Sequence, residues 1–214
     1  MTRSLPPGRG ESEILWFRRR PFLQAAPAGT AMGGWTAAHA QQRGNIVELQ
    51  GDVLLNGRAL RPADTIQTGD EIQTGPGATL IFVIGGDAFH VRQNSRLQVR
   101  RGETLNTVSV LRLISGAAAS VWSPGGGRQV VTPTPTAGIR GTGVYAEVLA
   151  DGSARSYFCN CYGEVELSAG REQLVSTSRY HQSFWADEQR VEGRQLRSAP
   201  GWNHTGEGLE FLAR

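Results

Sequence analysis

Cys159 and Cys161 are the only cysteines in the chain, and they stand as Cys-Asn-Cys in the stretch Arg155–Cys161, which reads as a strand. Residues two apart in a strand point to the same face, so their Cα atoms lie about 6.5 Å apart. That is near the far edge of disulfide geometry, and a Cys-x-Cys bridge requires a sharp backbone distortion. Two thiolates on one face can instead converge on a soft cation that takes sulfur ligands near ~2.3 Å. Two sulfurs leave an ordinary tetrahedral site half filled. His181 and His204, both in the C-terminal part of the chain, can complete it. The set Cys159, Cys161, His181, His204 has the two-sulfur, two-nitrogen composition of a zinc site or of an iron–sulfur centre with mixed ligands. A disulfide and unligated thiols remain the alternatives.

Little else in the sequence points to chemistry. There is no Gly-x-Ser-x-Gly nucleophile turn, and the chain has no Lys with which to build a phosphate-binding loop. Gly125–Gly127 is a turn cluster without the strand-to-helix setting of a dinucleotide site. Asp64, Asp70 and Asp87 fall in turns, where a capping role is far commoner than cation binding. No catalytic residue is assigned.

The elements that must position the candidate ligands read as short strands joined by tight turns. Gly (28) and Pro (10) are abundant and apolar residues make up 39% of the chain, which suits an all-β domain. Between Ile46 and Leu167 the predicted strands include Ile46–Leu49, Val53–Leu55, Thr79–Ile84, Ala88–Val91, Arg96–Val99, Val108–Ile114 continuing toward Trp122, Tyr145–Leu149, and Glu164–Leu167. Asn56-Gly57 is a hairpin signal. Ile66-Gln67-Thr68-Gly69 recurs as Ile72-Gln73-Thr74-Gly75, six residues on, a spacing at which short β rungs turn. Beyond Thr177 the anchors are sparse, and residues 185–197 read as an extended tail or a poor short helix. Ligation at His181 and His204 would give that polar segment a reason to dock.

The N-terminus has a different character. All 22 basic residues are Arg, and the net charge of +3 belongs to residues 1–40, with five Arg and two acidic residues; the remainder is balanced. There is thus no global positive field to recruit nucleic acid. Arg19, Arg20, Phe22 and Leu23 fit a twin-arginine export pattern, followed by a small, weakly hydrophobic stretch and a small-x-small site at Ala38-His39-Ala40. The expected organisation is a signal peptide over 1–40, a β domain over 41–178 and a tail over 179–214. No run of apolar residues is long enough for a transmembrane helix. Export by this route places the protein in the periplasm. The site could fill in the reducing cytoplasm, before its thiols met an oxidising compartment.

The turn Gly69-Asp70-Glu71-Ile72-Gln73-Thr74-Gly75, then Ser95-Arg96-Leu97, Thr132-Pro133, Ile139-Arg140-Gly141-Thr142 and Gly163-Glu164-Val165, occur in an order that resembles the FecR domain family over roughly 46–175. Gly69 and Gly75 are expected to supply turn conformations that a side chain opposes, and Asp70 to cap its own turn. Arg140, between Ile139 and Gly141, is expected to be an internal tie, since a buried guanidinium must be paired. The resemblance, with the short Gly-punctuated rungs, implies a β-solenoid or β-roll; a two-sheet β-sandwich is the alternative.

Well-known FecR proteins are iron-dicitrate sensors with a cytoplasmic sigma-binding segment ahead of a spanning helix. This chain departs from that plan, so an anti-sigma role is not expected. The implied function is a non-catalytic cell-envelope protein that binds a protein, peptide or glycan partner through a sheet edge or the Ser123–Gly127 loop, with a Cys/His metal or iron–sulfur centre. The alternatives are a purely structural interaction module without metal, and a periplasmic redox or metal-dependent enzyme.

Overall fold

The computed structural model describes residues 44–201, apart from Leu105 and Ala154, together with His204 and Leu212. The export pattern at Arg19, Arg20, Phe22 and Leu23 lies outside the described residues, as does the cleavage site.

Fifteen strands are described. The first seven are β1 (Ile46–Gln50), β2 (Val53–Leu55), β3 (Arg58–Ala59), β4 (Glu71–Thr74), β5 (Thr79–Ile84), β6 (Asp87–Val91) and β7 (Arg96–Arg101). Then follow β8 (Val108–Val121), β9 (Arg128–Val131), β10 (Thr136–Ile139), β11 (Gly143–Val148) and β12 (Ser156–Ala169). The last three are β13 (Glu172–Ser178), β14 (Gln182–Val191) and β15 (Arg194–Ala199). The β2–β3 hairpin turns at Asn56 and Gly57, with φ of 51° and 79°, the two left-handed positions that a type I′ turn requires.

Two sheets share two long strands. One sheet runs β3-β2-β4-β7-β8-β9-β10-β12-β13, and the other runs β1-β5-β6-β8-β11-β12-β14-β15. The N-terminal half of β8 pairs with β7 as far as Ser115, and its C-terminal half pairs with β11 from Gly116 onward. β12 changes partners in the same way: β14 flanks it up to Asn160 and β11 up to Tyr162, and β13 takes over from Gly163. Both switch points are glycines with positive φ, Gly116 at 76° and Gly163 at 93°. A Cβ on Gly116 would stand 2.5 Å from the Ser95 Cα, and one on Gly163 would stand 2.9 Å from the Gly141 carbonyl oxygen. Only glycine fits a strand that must bend so sharply against another backbone.

The shared strands close a ring. β8 pairs β9, β9 pairs β10, β10 pairs β12, β12 pairs β11, and β11 returns to β8, giving a closed five-stranded barrel with the remaining strands attached as sheet. This overturns the expected β-solenoid or β-roll. A solenoid stacks parallel rungs, whereas every described pairing here is antiparallel except β8–β9. The six-residue echo falls partly on strand β4 and partly on turn, not on two rungs. Nor is this a two-sheet sandwich, because the sheets are continuous through β8 and β12.

The C-terminal region is a second correction. Residues 182–199 were expected to be irregular tail but form the β14–β15 hairpin, which extends the second sheet from β12. Its inward face carries Phe184, Ala186 and Leu196 into the core. Asp187, almost buried, holds the hairpin by accepting from Arg155 Nε at 2.6 Å and Arg197 Nη2 at 2.8 Å. Three anchors were enough because a strand needs only alternate residues to be apolar.

The second sheet is apolar on both faces. Phe82, Phe89, Val144, Ala146 and Phe158 point into the main core, where Phe89 stacks on Phe82 at 5.0 Å and meets Trp122 edge-on at 5.2 Å. The alternate residues Ile81, Ala117, Ala119, Tyr145, Tyr157 and Cys159 form a separate cluster on the other face, joined by Cys161 and Leu212. That outer face carries the cysteines.

Candidate metal centre

Cys159 lies in the middle of the second sheet, opposite Tyr145 on β11 and Ser183 on β14. Beyond it the register slips. Asn160 faces Val144 while Tyr162 faces Gly143, so Cys161 is the extra residue of a β-bulge. A bulge re-aims side chains, and here both cysteines end on one side, with their sulfurs 3.5 Å apart and unbonded. Asn160, wholly buried, turns the other way and donates to the Ser176 carbonyl at 2.9 Å.

The two histidines arrive from different segments. His181 sits in the turn between β13 and β14 with φ of 38°, a left-handed conformation uncommon for a residue with a side chain. His204 follows β15, and its ring stacks on Tyr145 with centroids 4.3 Å apart and planes 11° from parallel. His181 Nδ1 is 3.4 Å from Cys159 Sγ, His204 Nε2 is 3.7 Å from Cys161 Sγ, and the two nitrogens are 3.2 Å apart. All four donor atoms lie within 4.8 Å of one another.

These distances can be compared with the edges of a coordination tetrahedron. An ion with sulfur at ~2.3 Å and nitrogen at ~2.05 Å has edges of about 3.8 Å between sulfurs, 3.6 Å between sulfur and nitrogen, and 3.3 Å between nitrogens. Four of the six edges, at 3.5 Å between sulfurs, 3.4 and 3.7 Å between sulfur and nitrogen, and 3.2 Å between nitrogens, lie within about 0.3 Å of these lengths. A Cys2His2 group with this spacing can chelate a metal ion. Both cysteines are buried and both histidines half-buried, and four protein donors leave no position for a substrate.

Electrostatics favour one thiolate before any ion arrives. The hydrogen bond from the Cys161 thiol is the main reason that Cys159 is held below the ordinary thiol range; burial opposes it, while contacts with His204, Ser183 and His181 assist. The same bond, burial and the neighbouring negative charge push Cys161 well above the ordinary thiol range. Burial, then the proximity of Cys161, raises Tyr162 to about 12.

The other residues singled out in the sequence lie elsewhere. Gly69 has φ of 107°, and Asp70 Oδ2 accepts the Gln67 N–H at 2.7 Å while its Oδ1 accepts from Asn56 Nδ2 at 2.7 Å. Gly75 lies outside the left-handed region; its N–H donates to the Asp52 carbonyl at 2.8 Å. Asp64 and Asp87 pair with Arg58 and Arg128. Gly141 has φ of 76°, and the buried Thr142 hydroxyl donates to the Tyr162 carbonyl, behind the bulge. Arg140 is corrected from internal tie to surface residue. Its side chain is 64% exposed and pairs with Glu164 at 3.2 Å and Glu166 at 3.8 Å across the β10–β12 ladder. Neighbouring small residues suggested burial, but Ala137 and Ile139 take the inward face of β10, and Arg140, one residue past its end, is exposed.

Tyr145, Tyr157 and Ser183 surround the cysteines and were not singled out from sequence. Tyr145 donates to Glu147 Oε2 at 2.8 Å, and burial, followed by that carboxylate, pushes its phenol above the usual range. The Tyr-x-Cys spacing of Tyr157 and Cys159 was readable; the facing strand was not.

No family model matches the chain, and no curated protein does. Among solved structures, two candidate anti-sigma factors from Parabacteroides distasonis ATCC 8503 are similar. One has a TM-score of 0.50 at 12% identity, over 63% of this chain and 60% of that one. The other has a TM-score of 0.49 at 10% identity, over 60% and 58%. The chain therefore spans about three-fifths of their lengths. At this identity the likeness shows a shared fold. The structure with the TM-score of 0.50 carries the anti-sigma name, against the expectation that set such a role aside. Among the described residues no helix is long and apolar enough to cross a membrane.

Proposed function

We propose that this chain is a non-catalytic β domain of FecR type that holds one metal ion, best matched by zinc, on Cys159, Cys161, His181 and His204. The observation that carries this reading is the set of donor distances, which resemble the edges of a single tetrahedron. Zinc suits two thiolates and two imidazoles without demanding another geometry. A two-iron cluster with mixed ligands would place sulfurs on one iron and nitrogens on the other. Donors all within 4.8 Å of one another leave no room for that, so a single ion is favoured over the iron–sulfur option. Four protein ligands in a buried setting favour a structural centre over a catalytic one. Two ligands come from β12, one from the β13–β14 turn and one from beyond β15, so the ion would clasp the C-terminal segment to the sheet. The FecR assignment rests on the ordered motifs between Gly69 and Val165, and the periplasmic location on the N-terminal export pattern.

Elemental analysis of the purified chain beside Cys159→Ser and His181→Ala tests the site. One equivalent of metal, lost in both variants, is expected. Sub-stoichiometric metal together with a quantitative Cys159–Cys161 disulfide would end the proposal.

A further inference from the structure

The metal reading leaves unexplained why two hydroxyl groups are buried beside the thiolate. Ser183 stands directly opposite Cys159 in the β12–β14 ladder, so the two side chains share a face at close range. Contact with its hydroxyl is among the causes that lower the Cys159 thiol. Tyr157, two residues before Cys159 and on the same face, is wholly buried, and its hydroxyl lies 2.7 Å from Ser183 Oγ. The Pro200 carbonyl is the more distant acceptor for that phenol, at 3.2 Å.

A phenol has one hydrogen and a serine has one. With the phenol hydrogen on the nearer oxygen, Ser183 Oγ, the Ser183 hydrogen is left to face its strand partner. The group facing it is Cys159, a sulfur that as a thiolate only accepts. We propose that Ser183, oriented by Tyr157, is a positioning residue for the metal centre: it donates to the Cys159 thiolate, fixes the direction of its lone pairs and slows loss of the ion. This rests on the metal reading above and deepens it. Groups that hydrogen-bond to ligands in this way set ligand orientation and metal affinity.

The test uses cobalt(II), whose bond to thiolate gives a charge-transfer band, with the full chain as purified. Ser183→Ala is expected to bind cobalt about 10- to 100-fold more weakly than wild type, Tyr157→Phe to fall between, and Ser183→Thr to restore binding. Removing a donor to sulfur raises the energy of its lone pairs, so the band should move to longer wavelength in Ser183→Ala and return in Ser183→Thr. A side chain that merely packs would not move the band. Ser183→Ala binding within about twofold of wild type, with an unmoved band, overturns the proposal. Should Ser183→Ala not fold, Tyr157→Phe decides by the same two readouts. A wild-type chain that binds cobalt without any thiolate band defeats the metal reading itself, a separate outcome.

Discussion

The backbone N–H of His181 donates to the carbonyl of Cys161 across 3.0 Å, so two ligand-bearing segments are joined by main chain before any ion is bound. The ring of His204 leans on Tyr145. Metal should therefore stabilise an already assembled sheet. At a free zinc concentration about 1,000 times Kd, binding to the native state alone adds roughly 4 kcal/mol. Thermal unfolding with zinc and with a strong chelator should differ accordingly. His204→Ala should abolish the difference while leaving the chelated midpoint nearly unchanged.

Asp187 should govern part of the acid sensitivity. Burial pushes its carboxyl up, but hydrogen bonds and charge from Arg197 and Arg155 more than offset this and hold it below the ordinary value. A depressed folded value means that its contribution is present above the unfolded pKa of about 3.9 and is lost as pH falls through the lower folded value. Asp187→Asn should cost about 1–3 kcal/mol at pH 7. Urea unfolding from pH 7 down to pH 3 should show the gap between variant and wild type closing at the acid end. A constant gap would contradict the assignment.

Gly116→Ala should be costly although it adds a single methyl group. The added Cβ meets the backbone of Ser95 and Asn94, and the residue must hold a φ of 76°. A loss of about 2–4 kcal/mol is expected from strain and displaced backbone together. Gly57→Ala makes a useful comparison, since its added Cβ would meet nothing within 4 Å; chemical denaturation should rank the two variants in that order.

Arg140→Ala should matter little. Its ion pairs with Glu164 and Glu166 are exposed, and such pairs contribute about 0–1 kcal/mol. A loss above ~2 kcal/mol in equilibrium unfolding would mean that the guanidinium does more than the surface geometry accounts for.

The export pattern makes its own prediction. Arg19→Lys with Arg20→Lys should leave the protein in the cytoplasm, as followed by cell fractionation and the mature N-terminus. Undiminished export through the general secretory route would remove the basis for a twin-arginine leader.

The strands were legible where alternation or a turn signal marked them, as in Asn56-Gly57 between β2 and β3 or the apolar run of β5. Their partners were not. Nothing local in Val108–Val121 announces that one strand serves two sheets; the only local clue is Gly116, where the strand bends. The solenoid reading failed for the same reason, because short rungs with glycine turns look alike whether they pair with parallel or antiparallel neighbours. At the candidate site, residue type and two-residue spacing singled out Cys159 and Cys161, and position in the C-terminal part of the chain added the two histidines. Ser183 and Tyr157 escaped notice because a serine opposite a cysteine is a property of register, which is set by non-local pairing.

The ring built from β8, β9, β10, β12 and β11 has a consequence for how this protein comes apart. Because β8 and β12 belong to both sheets, no seam divides the described strands into halves that could melt separately. Peeling either sheet away would strip hydrogen bonds from strands the other still needs, so loosening at one end is felt at the other. A domain of this design loses its order all at once. The cysteines, in mid-strand on a member of the ring, are shielded for as long as the whole stays folded.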